Sequence, residues 1–402
     1  MRAHKTRGLR LNTAVAALVA AACLAAPAAA FEPTGNAIAD AYLRAYEGPN
    51  TTVKAVGKVE EADGVVIIRS MTVETTSEDG SAFAQTVVLN DAELHGANLA
   101  GDVLTVDRAT DVDGSVMFGD RLRLRYASAT AEGLRLKDGA LAAAGALEDR
   151  FASVASGSVS DLMFLLDDTT FATADDLAIT YDSDGARSIG GHAELSGLRL
   201  DGAAIGKLAG VAPLALVGDG PASLVLDAQW NAQDGILDIE NLALSAPEVG
   251  LLGLSLRFDG ITDNAPEERS EPAPDGAADE TDAAADDEPQ RFLSGSLTIR
   301  DDGIAVPMFD ALARQQQMAP GSFRSLVLNA ISGALFAYDD PIFRTHLVGA
   351  LDMLLDGNAT VTVSSDPILP IPVQLLEQTA DPQLLQALPG MLRLSVDSHP
   401  NE

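Results

Sequence analysis

Apolar and polar residues alternate along several stretches in the middle of the chain. Leu122, Leu124 and Tyr126 alternate with arginines, and apolar residues recur at every second position over 224–230 and 252–258. A period of two places successive side chains on opposite faces of a β-strand. These stretches are therefore predicted to be half-buried strands.

Asp-Gly dipeptides separate the predicted strands and indicate tight turns. The pair tolerates the positive φ angles that two-residue hairpins need, so antiparallel connections are expected. The dipeptides begin at Asp63, Asp79, Asp113, Asp138, Asp184, Asp201, Asp234 and Asp259. After Gly235 the apolar positions change phase between Ile239 and Leu242, which predicts a β-bulge at Glu240 or Asn241.

Helical signals lie near the two ends of the chain. Asn36 is a candidate N-cap for a helix over 36–47. Asp340 precedes Pro341 and an apolar face that ends before Gly357, which predicts a second capped helix. The same signals predict further elements, namely helices over 307–318 and 323–338 and strands over 359–364 and 392–396.

These elements give the expected fold class, α+β with β dominant. We expect an extended, twisted, mainly antiparallel sheet of meander or groove-like form, with helices at the N-terminus and in the C-terminal third. Residues 31–262 form the β-rich region with the N-terminal helix, and 292–402 continue the sheet. Between them, 263–291 has 11 acidic residues and no Val, Leu, Ile, Met or aromatic residue. This segment is predicted to be a disordered loop inserted in the sheet, with a linker between two domains as the alternative.

The first 30 residues have the three parts of an export signal. Four cationic residues precede an uncharged run over 11–30 that ends in small residues. We expect cleavage after Ala30, a periplasmic mature protein and no later transmembrane segment. Retention of the signal as an anchor and lipidation at Cys23 are the alternatives. Because Cys23 is the only cysteine, the cleaved chain would form no disulfide.

Charge and motifs argue against several classes of function. The chain has 59 acidic residues against 26 Lys and Arg, so nucleic acid is not an expected partner. It has no Gly-x-Ser-x-Gly and no His-Glu-x-x-His motif, and a calcium-like loop over 109–120 has alanine at its first ligand position. We therefore predict a protein without enzymatic activity, with no catalytic residues, no metal site and no cofactor.

One group of cations is a candidate anion-binding patch. Arg121, Arg123 and Arg125 project from one face of a predicted strand, and Arg135 and Lys137 project from the next. If the two strands pair in a hairpin, the five side chains lie together and would attract phosphate or carboxylate groups, including those of lipids. Ordinary ion pairing with the abundant carboxylates is the alternative.

Four segments share a similar plan of strand and turn, and they begin at Gly133, Gly197, Gly253 and Gly295. With the exported start and the leucine-rich strands, they resemble the AsmA and TamB superfamily of envelope β-proteins. That resemblance implies lipid traffic through a long apolar groove, and it carries over no functional residue. The terminal portions look closer to uncharacterised periplasmic proteins of alphaproteobacteria.

Two functions follow as hypotheses. In the first, the protein binds or carries a lipid or another apolar ligand in a β-groove whose lining residues the sequence does not identify. In the second, it is an envelope scaffold that contacts other envelope proteins and has a fully packed core without a ligand. A dry channel of more than about 300 Å³ along the sheet would separate the two.

Overall fold

The computed structural model confirms a β-dominant α+β fold with helices at the N-terminus and in the C-terminal third. It describes residues 31–47, 51–75, 85–137, 153–183, 188–204, 220–231, 233–261, 290–336, 340–377, 387 and 389–401. The predicted signal peptide and nearly all of the predicted acidic loop lie outside the described residues. The chain divides into two compact units between Tyr181 and Asp182.

The first unit contains one helix and eleven strands within the described residues. They are α1 (Ala37–Ala45), β1 (Thr51–Ala55), β2 (Val59–Ala62), β3 (Val65–Thr75), β4 (Gln85–His95), β5 (Asn98–Ala100), β6 (Val103–Val112), β7 (Ser115–Phe118), β8 (Leu122–Arg125), β9 (Ser128–Lys137), β10 (Ser156–Leu166) and β11 (Thr169–Ser183). Strand β3 pairs antiparallel with β1 and β2 on one edge and with β4 on the other.

In the middle of this sheet, two strand positions are each filled by two short strands in succession, and we call each such pair of strands a line. Strands β6 and β7 both pair with β4, and β8 and β9 both pair with β10. The prediction of a hairpin at Asp113-Gly114 is wrong, because this dipeptide lies at the break between β6 and β7. The Asp113 N–H donates to Ala127 O at 2.8 Å, and the Tyr126 N–H donates to Gly114 O at 3.1 Å. The two lines therefore stay hydrogen-bonded across the break.

Helix α1 covers the core of the first unit. The side chain of Asn36 accepts hydrogen bonds from the N–H groups of Ile38 at 3.0 Å and Ala39 at 3.1 Å, which confirms the predicted N-cap. Leu43 of the helix and Ile68 and Met71 of β3 are completely buried in one hydrophobic cluster. Alternating residues of β3 thus form the floor of a closed core.

The second unit contains a further sheet region with a helical insertion. Its described elements are β12 (Ser188–Leu200), β13 (Ala222–Asn231), β14 (Ile236–Ala246), β15 (Gly250–Asp259), β16 (Arg291–Asp301), α2 (Ala305–Gln315), α3 (Pro320–Leu335), α4 (Pro341–Asp356), β17 (Ala359–Ser365), β18 (Ile371–Pro372), α5 (Val373–Glu377) and β19 (Ser395–Pro400). Strands β12 to β17 pair antiparallel in chain order, and β19 pairs with β17. Helix α4 packs against β17 and β19.

The predicted bulge in β14 is confirmed. Asp227 of β13 is opposite Asn241, whereas the next residue, Ala228, is opposite Ile239, so Glu240 is the extra residue. The bulge keeps the leucines that follow it on the same side as Ile239.

The ends of the predicted acidic loop are adjacent strands. Asp259 of β15 is opposite Arg291 of β16, and the Arg291 Nε donates to an Asp259 carboxylate oxygen at 2.9 Å. The segment between them therefore joins paired strands of one sheet, as an insertion at a hairpin tip requires.

Two predictions for the C-terminal third have different outcomes. Asp340 accepts from the N–H groups of Ile342 and Phe343, both at 2.9 Å, so the predicted cap of α4 is confirmed. The last strand begins at Ser395 instead of at residue 392. Arg393 has a positive φ of 47°, which holds the chain in a turn immediately before the strand.

Candidate functional site

One side of strands β12 to β17 is built from aliphatic side chains, and we call it the leucine face. Residues directly opposite each other on paired strands point to the same side of a sheet. Two neighbouring rows cross the strands in this way: Leu195, Leu224, Leu244, Leu252, Ile299 and Val361 in the first, and Ala193, Leu226, Leu242, Leu254, Leu297 and Val363 in the second.

The centre of the leucine face is open to solvent. Leu252 keeps 47% of its surface exposed, Leu244 keeps 39% and Leu297 keeps 38%. At the β17 end, where α4 packs, Ala359 and Val361 are buried. The helix therefore covers one end of the rows and leaves the central strands accessible.

Aromatic side chains bury another part of the same side, beyond the bulge. Trp230, Leu237, Phe258 and Phe292 follow one another across strands β13 to β16. The Trp230 indole N–H donates to Ile261 O at 2.9 Å, and the rings of Phe258 and Phe292 have their centroids 5.8 Å apart. This packed end contrasts with the open leucines farther along the strands.

The opposite side of the sheet is polar. Hydroxyl pairs join neighbouring strands, with Ser223 and Ser245 oxygens 2.8 Å apart and Ser255 and Ser296 oxygens 2.9 Å apart. His192 Nδ1 lies 2.6 Å from Asp227 Oδ1, and this hydrogen bond holds the pKa of Asp227 below its usual value. His192 thus has a structural partner on the polar side.

A shallow cleft of about 490 Å³ lies on this polar side, near the end of β16. Arg300 Nε and Nη2 donate to Asp302 at 3.0 and 2.9 Å, and Thr360 Oγ1 donates to Asn401 Oδ1 at 2.7 Å. These groups largely pair with one another. The polar groups of the cleft therefore already have partners, whereas the central leucines of the leucine face are open to solvent.

Sequence reasoning missed a buried polar cluster in the first unit. The Asp111 carboxylate accepts from the Tyr126 hydroxyl at 2.8 Å and from the Asp91 N–H at 3.0 Å, and burial raises the pKa of Asp111. Tyr42 of α1 and Tyr46, which follows the helix, have hydroxyl oxygens 3.0 Å apart, and burial raises the pKa of Tyr46 to about 12. The Asp111-Val-Asp113-Gly114 stretch looked like a turn in sequence, and only the break between β6 and β7 brings it against Tyr126.

The predicted anion-binding patch is not assembled as expected. Strand β8 pairs with β7 and β10, and β9 pairs with β6 and β10, so the two strands follow each other along one line instead of forming a hairpin. The patch members therefore divide into two groups: Arg121, Arg123 and Arg125 at β8, and Arg135 and Lys137 at the far end of β9.

Two of these arginines have carboxylate partners at the tip of the neighbouring hairpin. Arg121 Nε donates to Asp167 Oδ1 at 2.8 Å, and Arg123 Nη1 donates to Asp168 Oδ1 at 3.2 Å. The hydrogen bond from Arg121 holds the pKa of Asp167 below its usual value. Arg121 and Arg123 therefore form ion pairs with the carboxylates of this hairpin.

The described residues contain neither a group of metal ligands nor a membrane-spanning helix. Among the described residues, no three His, Cys, Asp or Glu side chains form a group that could hold a metal ion. None of the described helices is long and apolar enough to cross a bilayer.

Comparison with known proteins gives one partial match. Residues 243–399 match a protein-family model described as an uncharacterized protein. The matched stretch runs from within β14 to β19, so it contains Leu252, Leu297 and the helical insertion. No curated protein matches the chain.

Proposed function

We propose that this is a non-enzymatic protein of the periplasm that binds the acyl chain of a lipid on the leucine face. The observation that carries the proposal is the 38–47% exposure of Leu244, Leu252 and Leu297 in the middle of two aliphatic rows. Isolated exposed leucines are common on protein surfaces, but a contiguous apolar area of this kind marks a binding surface.

The dimensions of the leucine face suit an extended hydrocarbon chain. The open strands β12 to β16, at a spacing of about 4.8 Å, span about 19 Å, which is comparable to an extended acyl chain. Each methylene removed from water contributes about 0.8 kcal/mol. A chain that crosses the open strands would therefore bind through many small apolar contacts.

The chemistry of the two rows favours an acyl chain over a protein partner. Their members are alanine, valine, leucine and isoleucine, without a hydroxyl, amide or charged group. The centres of protein interfaces are enriched in aromatic residues, methionine and arginine instead. The exposed leucines also favour ligand binding over a scaffold with a fully packed core.

The test is binding of a fluorescent fatty acid to the delipidated protein. Leu252→Glu should weaken binding at least about tenfold, because it places a carboxylate within the apolar contact. Gln229→Glu is the matched control, since it adds the same charge on an exposed position of the polar side. Gln229→Glu should leave the affinity within about twofold.

Two results would contradict the proposal. One is wild-type protein that neither carries lipid when purified nor binds the fatty acid after delipidation. The other is an equal loss of affinity in Leu252→Glu and Gln229→Glu. That equality would indicate a general charge effect instead of a site on the leucine face.

A further inference from the structure

The two aliphatic rows of the leucine face form parallel ridges, and we call the space between them the furrow. The rows are two residues apart on every strand that they cross, as with Leu252 and Leu254 on β15. Two residues along a strand correspond to about 7 Å. A hydrocarbon chain midway between the rows would lie about 3.5 Å from each, which is the contact distance between carbon atoms. The furrow therefore has the width of one extended chain.

The rows on either side of the furrow are closed. Next to the first row, Gly250 is opposite Asp301, and both residues are buried. Next to the second row, Ile239 is opposite Leu256, and Ile239 is buried. Within β12 to β17, the exposed large apolar side chains all border the furrow, and they are Leu244, Leu252 and Leu297. The furrow is therefore the accessible part of the leucine face.

The furrow runs straight across the strands. Between β12 and β17, the register shifts of the paired strands all fall outside the two rows, and the pairing of β16 with β17 has none. Each row therefore passes from strand to strand between directly opposed residues. A straight furrow fits an extended chain better than a bent one.

Both ends of the furrow are covered. At β17, where α4 packs, Val361 is buried, and at β12 the second row ends in the buried Ala193. Strands β12 to β16 span about 19 Å between these ends. With carbon–carbon bonds of about 1.5 Å, each carbon of an extended zig-zag chain advances about 1.3 Å. The furrow thus accommodates about 14 to 16 carbons.

We propose that the furrow selects one straight, saturated acyl chain of at most about 16 carbons. The inference rests on the proposed function and adds the shape and length of the chain that is bound. A cis double bond bends a chain, so the part beyond the bend would leave the furrow and return to water. Carbons beyond the covered ends would likewise find no apolar contact.

The first test is the affinity of the delipidated full chain for saturated fatty acids of about 8 to about 20 carbons, measured by displacement of the fluorescent fatty acid. Affinity should rise about twofold with each carbon up to about 16, because an open furrow removes about half of each methylene from water. Beyond that length, each further carbon should raise the affinity by less than about 1.3-fold.

The second test compares palmitoleate, which has a cis double bond near the middle of its chain, with its trans isomer. The two ligands have the same composition, so general hydrophobicity predicts equal affinities. The trans isomer should bind within about twofold of palmitate. The cis isomer should bind at least about tenfold more weakly, since roughly half of its carbons would lie outside the furrow.

The variant Leu226→Trp should shorten the furrow. Leu226 is the member of the second row on β13, so a larger side chain there would leave β14 to β16 open, a span of about 10 Å. Palmitate should then bind at least about tenfold more weakly, while decanoate should stay within about threefold of its affinity for the wild type. Gln229→Trp is the matched control, because it adds the same ring at an exposed position on the polar side of the same strand. It should leave the whole series unchanged.

The outcomes separate this proposal from the proposed function. If the wild type binds no fatty acid of any length, the proposed function fails. If it binds them, three results overturn the furrow alone. They are an affinity that rises at the same rate up to about 20 carbons, equal affinities for the cis and trans isomers, and a loss in Leu226→Trp that is the same for palmitate and decanoate.

Discussion

The core beneath α1 and the leucine face have the same kind of sequence but differ in how deeply their apolar side chains are buried. In β3, buried residues recur at nearly every second position, and Ile68 and Met71 among them are completely buried. In β15, Leu252 belongs to a series of apolar residues at every second position, yet 47% of its surface is exposed. The difference lies in the covering element, because α1 packs over β3, whereas α4 packs against β17 and β19 and leaves Leu252 exposed. Alternation therefore predicts an apolar face without specifying whether that face becomes core or surface.

The largest expected effect is the difference between these two faces in how far a leucine-to-alanine substitution lowers the free energy of unfolding. Leu43→Ala in α1 should lower the free energy of unfolding by about 2–5 kcal/mol, because it leaves a cavity in a closed core. Leu252→Ala should cost about 1 kcal/mol or less, because about half of that side chain is already in water. Urea unfolding of the full chain measures both changes. Equal losses would show that the leucine face is packed like a core.

The buried polar cluster should give the next effect. Asp111→Ala removes the acceptor of the Tyr126 hydroxyl and of the Asp91 N–H, which leaves two donors without their partner. We expect a loss of about 1–3 kcal/mol in urea unfolding. Ser255→Ala is the comparison in the second unit, since it removes a half-buried hydroxyl pair on the polar side. It should cost about 1 kcal/mol or less, and the opposite ranking would contradict a structural role for the Asp111 cluster.

The cap of α1 should have a smaller effect. Asn36→Ala removes the acceptor of two N–H groups at the start of the helix and should cost about 1 kcal/mol. Asn36→Asp keeps an acceptor in the same place and should retain most of the stability. If Asn36→Ala costs nothing in thermal or urea unfolding, tertiary packing alone positions the covering helix.

Local signals explain how much of the fold could be predicted. The caps at Asn36 and Asp340 and the bulge at Glu240 each depend on residues close together in sequence, and each is confirmed. The strand pattern also predicted the β-dominant class, because a period of two is visible within a few residues. These features need no knowledge of distant partners.

The features that failed depend on contacts between distant segments. The candidate anion-binding patch required Arg121–Arg125 to pair with Arg135–Lys137 in a hairpin, but β10 aligns β8 and β9 end to end. The buried position of Asp111 likewise requires Tyr126 from the neighbouring line. The open centre of the leucine face could not be predicted, because no sequence pattern in β12 to β16 indicates whether a helix will cover these strands.

The smallest expected effect is a difference in the pH dependence of the two units. Burial raises the pKa of Asp111, so the folded state binds this proton more tightly than the unfolded state does. Its contribution to stability is then greatest at low pH and is lost as the pH rises from about 4, the ordinary aspartate pKa, through the raised value. The hydrogen bond from His192 lowers the pKa of Asp227, so its contribution is present above about pH 4 and is lost as the pH falls through the lowered value.

Two variants, Asp111→Asn and Asp227→Asn, separate these opposite pH dependences of stability from the titration of the many other carboxylates. The stability difference between wild type and Asp111→Asn should shrink or reverse as the pH rises above about 4. The difference between wild type and Asp227→Asn should shrink as the pH falls below about 4, and it should be the weaker effect because solvent screens this half-exposed pair. Urea midpoints measured across this range provide the comparison. If both stability differences changed with pH in the same direction, the two carboxylates would not differ in environment. That result would contradict the position of Asp111 in a closed core and of Asp227 on the polar side of the open sheet.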